Sequence, residues 1–309
     1  MVALLVFVVA SAGCDGPRGV PRIEPVLSDW KSPYRGLVGL EIHVFDTGKF
    51  RVPAGLVHRG ATLFESRALD VPAFVVRHPT SGLVVFDTGL PVASSDDGPF
   101  SDLLERVEDR DLAAQMRGAG LEPDEVGFVV LSHLHFDHTG SIASFPQAQM
   151  LVARSELASA RNARFWETPS FHPPDYEKHH NVKEVDYGAT GGFATFDGHV
   201  DLFGDHSVVL VDLMGHTPGS QGLVVAHQDG PVLLTGDASY TDSSWRYGIR
   251  PLMAYDMDAW WLVSWKIKKF AQLVPTLLVL PGHDLKPVRA LEDERVVLHA
   301  FDVGADETQ

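Results

Sequence analysis

A short polar segment directly after an apolar stretch has the composition of a metal site. It places three imidazoles and one carboxylate within six residues, at His133, His135, Asp137 and His138. Imidazole nitrogens and carboxylate oxygens are the donors that zinc and similar divalent ions bind in proteins. In extended backbone the side chains at i and i+2 point the same way, so His133 and His135 can bind one ion together. Asp137 and His138, in the turn that follows, are expected to face a neighbouring ion.

Three further candidate ligands share one pattern, in which an apolar run ends at a glycine and a ligand-type residue follows. They are His216 in Met214-Gly-His-Thr-Pro-Gly-Ser220, Asp237 in Leu234-Thr-Gly-Asp-Ala238, and His283 in Leu280-Pro-Gly-His-Asp284. Strand ends at one rim of a sheet scaffold commonly carry a functional site. A lone histidine at a strand end is more often an ordinary polar residue. The repeated pattern, together with the first segment, favours a metal site.

The composition is that of a globular protein with a sizeable core. The chain has 309 residues, is 45% hydrophobic and carries a formal net charge of -16, and its length fits one large domain or two closely packed halves. No stretch concentrates lysine and arginine, so nucleic acid is not an expected partner. The only cysteine is Cys14, which excludes a disulfide framework or a cluster of thiolate ligands within one chain.

The first residues predict export. Residues 1–10 are apolar, and Ser11-Ala-Gly-Cys14 places small residues directly before the cysteine, as at a secretory cleavage site. The segment resembles a bacterial lipoprotein signal, which implies removal of residues 1–13 and membrane anchoring through a lipidated Cys14. The predicted location is periplasmic or membrane-anchored. An ordinary secretory signal stays open, as does a wrongly assigned start codon with a cytoplasmic protein.

Hydrophobic patterning predicts the remaining organisation. Residues 14–36 read as an irregular tether, and residues 37–309 as a single domain with an insertion at about 155–200. Strands are expected at residues 37–45, 73–78, 83–86, 126–131, 150–152, 208–213, 222–226, 232–234 and 276–280, and helices at residues 103–116, from about 155, and at 258–273. Trp261 and Trp265 are expected to mark the core-facing stripe of the last helix. Strands followed by helices, twice, predict an α/β fold: a four-layer αββα sandwich of two similar halves.

These residues resemble the metallo-β-lactamase superfamily, whose motif is His-x-His-x-Asp-His followed by a later His, Asp and His. All seven positions are filled, by His133, His135, Asp137, His138, His216, Asp237 and His283. The resemblance spans about residues 37–287 and implies two metal ions. The first would be held by His133, His135 and His216, and the second by Asp137, His138 and His283, with Asp237 bridging them. Asp87, in Phe86-Asp-Thr-Gly89, matches an aspartate that supports the ligands from behind in this family.

Within the superfamily, two segments are similar to N-acyl homoserine lactone lactonases. Asp237-Ala-Ser-Tyr-Thr241 matches the sequence after the bridging aspartate, where the tyrosine lies beside the substrate carbonyl, and residues 165–176 resemble the substrate-flanking insertion. The resemblance implies a hydrolase with two divalent ions, zinc being the expected metal. It would open the lactone ring of its small-molecule substrate by a metal-bridging hydroxide, a quorum-quenching activity.

The resemblance also suggests roles for individual residues. Tyr240 is expected to donate a hydrogen bond to the developing oxyanion, and Asp137 to pass a proton from the attacking water to the leaving ring oxygen. Aromatic residues near the ligand loop are expected to line an apolar trough for the acyl chain. These are Phe136, Phe165, Trp166 and Phe171.

Other functions are compatible with the same ligand set. A glyoxalase II-like thioesterase usually has a basic C-terminal region, whereas residues 302–307 are acidic here. Other ester or phosphotriester hydrolases of the fold stay open. A flavin-partnered diiron oxygen reductase would have glutamate where this chain has His135, and a mononuclear dioxygenase would need only part of the ligand set. The non-enzymatic alternative is a periplasmic interaction lipoprotein whose metals are structural.

Overall fold

Apolar residues that alternate along the chain build long strands at the start of the globular part. The computed structural model describes residues 26–91, 104–106, 111–163, 170–289 and 295–299. The strands are β1 (Glu41–Pro53), β2 (Ser66–His78), β3 (Gly82–Phe86), β4 (Leu104–Arg106), β5 (Val126–Val130), β6 (Gln149–Ala153), β7 (Val182–Val185), β8 (His199–Asp201), β9 (Val208–Asp212), β10 (Gln221–Val225), β11 (Val232–Leu234), β12 (Leu278–Leu280) and β13 (Val296–His299). The helices are α1 (Ala54–Val57), α2 (Leu112–Gly118), α3 (Phe136–Thr139), α4 (Arg154–Arg161), α5 (Pro173–Tyr176), α6 (Asp242–Tyr247), α7 (Met257–Leu273) and α8 (Lys286–Arg289).

The described strands form two sheets of unequal size. The larger has eight strands in the order β13-β1-β2-β3-β5-β6-β7, with β4 paired to β1, and the smaller has five in the order β12-β11-β10-β9-β8. Neighbours in the run β3-β5-β6-β7 are parallel, as are β11 and β12. The C-terminal ends of parallel strands lie at one edge of a sheet, and the loops that leave these ends carry the predicted ligands.

Period-two alternation divides the apolar side chains of each sheet between two faces. In β2, Phe74 and Val76 belong to the core between the two sheets, whereas Ala73 and Val75 belong to the core beneath the outer helices. The inner core also contains Leu223 and Leu234 from the smaller sheet, so the two inner faces pack on each other.

Helices cover both outer faces. Leu112 of α2 and Leu157 of α4 pack on the larger sheet, and Ile267 and Phe270 of α7 pack on the smaller sheet. The layers therefore follow the order helix, sheet, sheet, helix. This order confirms the predicted four-layer α/β sandwich.

The prediction of one helix over residues 103–116 is wrong in its first part. Residues Leu104–Arg106 form β4, which pairs with β1 in antiparallel register. Helix α2 begins only after Asp111, whose side chain accepts the N–H of Ala114. An aspartate in this position satisfies an amide that the first turn leaves free, so it marks the start of a helix.

The prediction for the core-facing stripe of the last helix is also wrong. Trp260, Val263 and Ile267 of α7 are buried, whereas Trp265 is 37% exposed and Trp261 is only partly buried. The buried residues follow the i, i+3, i+7 spacing that one helix face requires. The tryptophans four residues apart lie to one side of this face.

Residues 26–36, at the start of the described chain, have irregular backbone and pack on the domain. The Trp30 ring contacts Phe270 edge to face at 5.0 Å, and the Tyr34 hydroxyl donates to the carbonyl of His227 at 2.7 Å.

The predicted signal segment and Cys14 lie outside the described residues, so export and lipidation stay predictions. Within the predicted insertion, β7 pairs with β6 as an edge strand of the larger sheet. Among the described residues, none of the helices combines the length and apolar character that crossing a bilayer needs.

Candidate metal centre

All seven predicted ligands lie in segments that follow strands at the rim of the sandwich, and two of them, Asp137 and His138, stand in the short helix α3. The segment from His133 to His138 follows β5 of the larger sheet. The other three follow strands of the smaller sheet: His216 comes after β9, Asp237 after β11 and His283 after β12. The predicted ligands at this rim therefore come from both sheets. Six of the seven side chains are buried, and His135 is partly buried.

His133, His135, His216 and Asp237 form one cluster, in which the ligand atoms lie within 4.8 Å of one another. Nε2 of His216 is 3.2 Å from Nδ1 of His135 and 3.3 Å from Oδ2 of Asp237. Nε2 of His133 is 3.7 Å from the same carboxylate oxygen. Ligands at about 2.1 Å from a tetrahedral zinc ion are about 3.4 Å apart. The spacing therefore fits a single ion at the centre of the cluster.

Asp137, His138 and His283 form the second cluster. Nε2 of His283 is 3.5 Å from Oδ2 of Asp137, and Nε2 of His138 is 3.8 Å from its Oδ1. The other oxygen of Asp237, Oδ1, lies 3.0 Å from His283 and 3.3 Å from His138. The Asp237 carboxylate thus turns one oxygen to each cluster, the arrangement that a bridging ligand needs.

Several inward-facing atoms are buried without a hydrogen bond. They are Nε2 of His133, Nε2 of His138 and Oδ1 of Asp237. Native structures leave few buried polar atoms unsatisfied, because each such atom loses its interactions with water and gains nothing in return. All three atoms point into the two clusters, so a pair of divalent ions would satisfy them. The donor set and its geometry fit the metals that the sequence predicts.

Four of the histidines are held by a hydrogen bond on the nitrogen that faces away from the clusters. The partners of the Nδ1 atoms are Ser132 Oγ for His133 at 3.0 Å, Asp87 Oδ2 for His138 at 2.8 Å, Tyr240 Oη for His216 at 3.2 Å and the Asp70 carbonyl for His283 at 2.8 Å. Such contacts fix the orientation of the ring and direct Nε2 to the metal.

Asp87 lies directly behind the predicted ligands. Its Oδ2 atom pairs with His138, and its Oδ1 atom accepts the N–H of Ser132 at 2.6 Å. The backbone of Asp87 has a φ of 57°, in the left-handed region that non-glycine residues seldom adopt. A buried residue with this conformation is characteristic of a site that the surrounding structure constrains.

The electrostatics keep the imidazoles of the first cluster neutral. Burial, reinforced by the neighbouring imidazoles, holds the pKa of His133 well below its usual value, and burial with His216 does the same for His135. Burial also opposes protonation of His138, but the carboxylates of Asp87, Asp137 and Asp237 outweigh it and raise its pKa. Neutral imidazole is the form that binds a metal ion. The carboxylates around His138 would stabilise any positive charge beside it, whether a proton or a metal ion.

Tyr240 contacts two of the predicted ligands. Its ring stacks on His283 at 5.6 Å and meets His216 edge to face at 5.4 Å. Tyr240 also packs against an apolar cluster formed by Val52, Val57 and Leu69 with Phe50 and Leu56. Burial, reinforced by the carboxylates of Asp237 and Asp137, raises the pKa of Tyr240 well above its usual value. The phenol therefore keeps its proton and is available as a donor.

The predicted substrate-pocket residues are only partly described. Phe136 is half-buried and meets Phe50 edge to face at 5.4 Å. Phe171 is buried, with its ring 5.2 Å from that of His135. Phe165 and Trp166 lie outside the described residues. The aromatic residues that the structure describes therefore lie against the ligand loop, and their role in binding an acyl chain stays a prediction.

Several supporting residues could not be identified directly from the sequence. Asp70 holds His283 through its backbone carbonyl, which no sequence pattern encodes. Phe50 and Leu56 approach Tyr240 from the β1–β2 hairpin, more than 180 residues earlier in the chain. Ser132 could have been noticed, because a hydroxyl residue directly precedes His133 and its backbone position brings Oγ near that ring.

Comparison with known proteins agrees with this geometry. The model of the metallo-beta-lactamase superfamily matches residues 67–283. The chain is 32% identical over 225 residues to N-acyl homoserine lactonase AttM of Rhizobium radiobacter, covering 70% of this chain and 82% of the relative. It is 29% identical over 259 residues to an N-acyl homoserine lactonase of a Bacillus species, covering 77% of this chain and 93% of the relative.

The fold has solved counterparts. A structure of an N-acyl homoserine lactone hydrolase, with the product N-hexanoyl-L-homoserine at its catalytic metal centre, superposes with a TM-score of 0.67 at 22% identity, covering 82% of this chain and 96% of that chain. The family model spans the β2 strand to the last predicted ligand, and the layers observed here are those of the solved relative. The strand order, the rim of histidines and aspartates, and these matches lead to one conclusion: this chain belongs to the metallo-beta-lactamase superfamily.

Proposed function

We propose that this protein is a two-metal hydrolase that opens the lactone ring of N-acyl homoserine lactones. One observation carries the proposal: seven side chains from four separate segments converge beside the Tyr240 hydroxyl, and three of them turn buried atoms without a hydrogen bond inward. Two relatives that resemble the chain over most of its length are named for this activity. Zinc is the proposed metal, because five imidazoles and two carboxylates are donors that zinc binds readily.

The proposed ligands divide the work of metal binding. His133, His135 and His216 would hold one ion, and Asp137, His138 and His283 the other, with one oxygen of Asp237 on each side. Divalent ions in such a site lower the pKa of bound water to near 7 and polarise a carbonyl oxygen, so that a nucleophile is available at neutral pH.

Tyr240 is placed to assist attack on the lactone carbonyl. With Nε2 of His216 turned to the first cluster, Nδ1 carries the ring proton and donates to the tyrosine oxygen at 3.2 Å. The hydroxyl hydrogen of Tyr240 is then free to point toward a substrate carbonyl. A donor that is already oriented stabilises the oxyanion without reorganisation during the reaction.

Asp137 is proposed to transfer the proton. Its carboxylate is 6% exposed and lies beside His138 and His283, on the side of the second cluster. A carboxylate in this position can accept the proton of the attacking water and deliver it to the ring oxygen as the carbon–oxygen bond breaks. The product is an open hydroxy acid.

The apolar residues around Tyr240 are proposed to hold the acyl chain. Phe136 and Phe50 meet each other beside the ligand loop, and Leu56 extends this surface along the β1–β2 hairpin. Phe171, whose ring lies 5.2 Å from that of His135, completes the described part of the proposed surface. Phe165 and Trp166 stay predicted members of it from the sequence alone. Contact with an alkyl chain removes apolar area from water and contributes about 0.8 kcal/mol for each methylene fully buried.

The test is a substrate panel on purified protein of measured metal content. Hydrolysis of N-acyl homoserine lactones, thioesters, phosphotriesters and β-lactams is followed by mass spectrometry under the same conditions. We expect kcat/KM to be highest for the lactones. A higher value for thioesters would favour the glyoxalase II-like alternative, and no hydrolysis by metal-loaded protein would contradict an enzymatic role.

A further inference from the structure

Glu156 is a fully buried acidic residue close to the proposed metal centre. It lies in the first turn of α4, and its relative exposure is 0%. A buried carboxylate loses its hydration and is unfavourable unless hydrogen bonds replace the water. Here Oε1 accepts the N–H of Leu134 at 3.0 Å, and Oε2 accepts the N–H of Gly219 at 3.1 Å.

These two amides belong to different ligand loops. Leu134 stands between His133 and His135 in the loop after β5, and Gly219 is the third residue after His216 in the loop after β9. The two loops come from different sheets. One carboxylate therefore connects the backbones of both loops that supply the histidines of the first cluster.

The surrounding packing leaves little freedom in this connection. A Cβ atom at Gly219 would come within 2.5 Å of the backbone N and the Cβ of Glu156, so the loop rests directly on the start of α4. The hydroxyl of Ser155 donates to the carbonyl of Pro218 at 2.9 Å. Ser155 and Glu156, in the first turn of α4, thus bind a C=O and an N–H of the His216 loop.

We propose that Glu156 is a positioning residue for the first metal cluster, where it sets the distance between His216 and the pair His133 and His135. Carboxylate hydrogen bonds to backbone amides are among the stronger ones in proteins. They would hold the three imidazoles near their binding geometry before an ion arrives. The inference rests on the metal centre of the proposed function but not on the choice of substrate.

The test is the zinc affinity of Glu156→Gln, measured by titration against a chromophoric chelator. Glutamine has nearly the same size, but it has one acceptor oxygen and turns an amino group toward the second backbone N–H. We expect one of the two zinc ions to bind about 10- to 100-fold more weakly and the other to bind as in the wild type. Unchanged affinity for both ions would overturn the proposal.

A double-mutant cycle identifies the ion that is affected. In a His216→Ala background, where the first cluster is already broken, Glu156→Gln should cause no further loss of zinc affinity. In a His283→Ala background, it should still weaken the remaining ion about 10- to 100-fold. Equal effects in both backgrounds would mean that Glu156 acts on general stability, and this outcome would refute a positioning role.

Two further variants keep the test decisive. Ile267→Ala creates a cavity beneath α7, in the core of the smaller sheet. It should lower thermal stability and leave both zinc affinities unchanged. A loss of zinc affinity like that of Glu156→Gln would overturn the proposal. If Glu156→Gln does not fold, Ser155→Ala removes only the exposed hydrogen bond to Pro218. We then expect the first ion to bind about threefold more weakly, the scale of one exposed hydrogen bond. No change in that variant would count against the inference.

The zinc titration uses no substrate, so the two hypotheses can fail separately. Protein that shows the predicted zinc affinities but hydrolyses no lactone would contradict the proposed function alone. Protein that hydrolyses lactones while Glu156→Gln binds zinc like the wild type would contradict the role of Glu156 alone.

Discussion

At the scale of single residues, Asp87 shows how a side chain behind the proposed ligands is itself held in place. Asp87 adopts left-handed backbone, with a φ of 57°, a conformation that costs on the order of 1 kcal/mol in a non-glycine residue. The two hydrogen bonds of its carboxylate, to His138 and to the Ser132 amide, offset this cost. Aspartate tolerates the conformation better than most residues do, and it also supplies both acceptors.

We predict that Asp87→Asn weakens binding of the second metal ion about 10- to 100-fold. Asparagine has one acceptor oxygen, so either His138 or the Ser132 amide loses its partner. The measurement is a zinc titration against a competing chelator, with activity restored by excess zinc. Asp124→Asn, at an exposed position, is the control. Equal zinc affinity in the two variants would show that Asp87 does not support the ligand.

We predict that Tyr240→Phe lowers kcat about 100- to 1,000-fold, the usual effect of removing one oxyanion donor. In buffer with excess zinc, the zinc content should stay at the wild-type value, because all seven proposed ligands remain. Loss of the contact to Nδ1 of His216 lowers the affinity of the first ion but not its occupancy under these conditions. Mass spectrometry of metals and steady-state kinetics measure the two quantities on one preparation. Tyr247→Phe, where the ring is 75% exposed, is the control. A kcat like that of the control would remove Tyr240 from the mechanism.

At the scale of elements, strand ends were the most predictable part of the molecule. Val126–Val130, Val208–Asp212 and Val232–Leu234 lie where their apolar runs indicate, because burial on two faces requires continuous apolar sequence. The ligands that follow them could be predicted, since a dense group of histidines and aspartate follows the first run and a glycine precedes the ligand after each of the other two. At Gly282 this glycine is required: a Cβ atom there would lie 2.7 Å from Oδ1 of Asp237.

The misplaced elements depended on contacts that are distant in sequence. Strand β4 exists because its backbone pairs with Gly48–Phe50 of β1, and three residues carry no periodicity of their own. The face of α7 is set by the smaller sheet beneath it, so Trp260 is buried and Trp265 is not. Glu156 was missed for the same reason, because its two amide partners lie 22 and 63 residues away.

The pairing of β13 with β1 should depend on pH. Nδ1 of His43 lies 3.0 Å from Nε2 of His299, which stacks on Phe45. Burial lowers the pKa of His43 below 6.5 despite the opposing effect of Glu41, and burial with the His43 charge lowers the pKa of His299. The unfolded chain therefore binds more protons than the folded one just below pH 6.5, and stability falls as the pH falls through this range.

We predict that His299→Gln makes the loss of stability between pH 6.5 and 5 less steep. Each proton taken up on unfolding contributes at most about 1.4 kcal/mol per pH unit, and the variant removes one such group. Urea unfolding at several pH values measures the slope. His180→Gln, at an exposed position, is the control. A slope equal to that of the control would contradict the role assigned to the pair.

At the scale of the whole molecule, the proposed metal centre joins the two sheets. The segment with His133 leaves the larger sheet, whereas His216, Asp237 and His283 leave the smaller one. An ion bound by both groups stabilises their contact, and it also pairs the buried carboxylates with positive charge. The metal should therefore matter to stability as well as to catalysis.

We predict that chelation lowers the Tm of the protein by several degrees. An ion present at a thousand times its Kd stabilises the folded state by about 4 kcal/mol. Differential scanning calorimetry before and after treatment with a chelator measures the change, and zinc should restore the original Tm. His216→Ala should have low metal content and low activity, and the chelator should lower its Tm by less. The control variant His180→Ala should behave as the wild type. A Tm that is insensitive to complete metal removal would contradict this account.

The position of β13 also has a consequence for association. It covers Ile42 to Phe45 of β1 in parallel register, at the outer edge of the larger sheet. Without this cover, a row of backbone N–H and C=O groups flanked by apolar side chains would face the solvent, and a second molecule could add a strand there. Mild acid, or proteolytic loss of the last residues, would then convert a well-folded chain into one that oligomerises through an exposed edge.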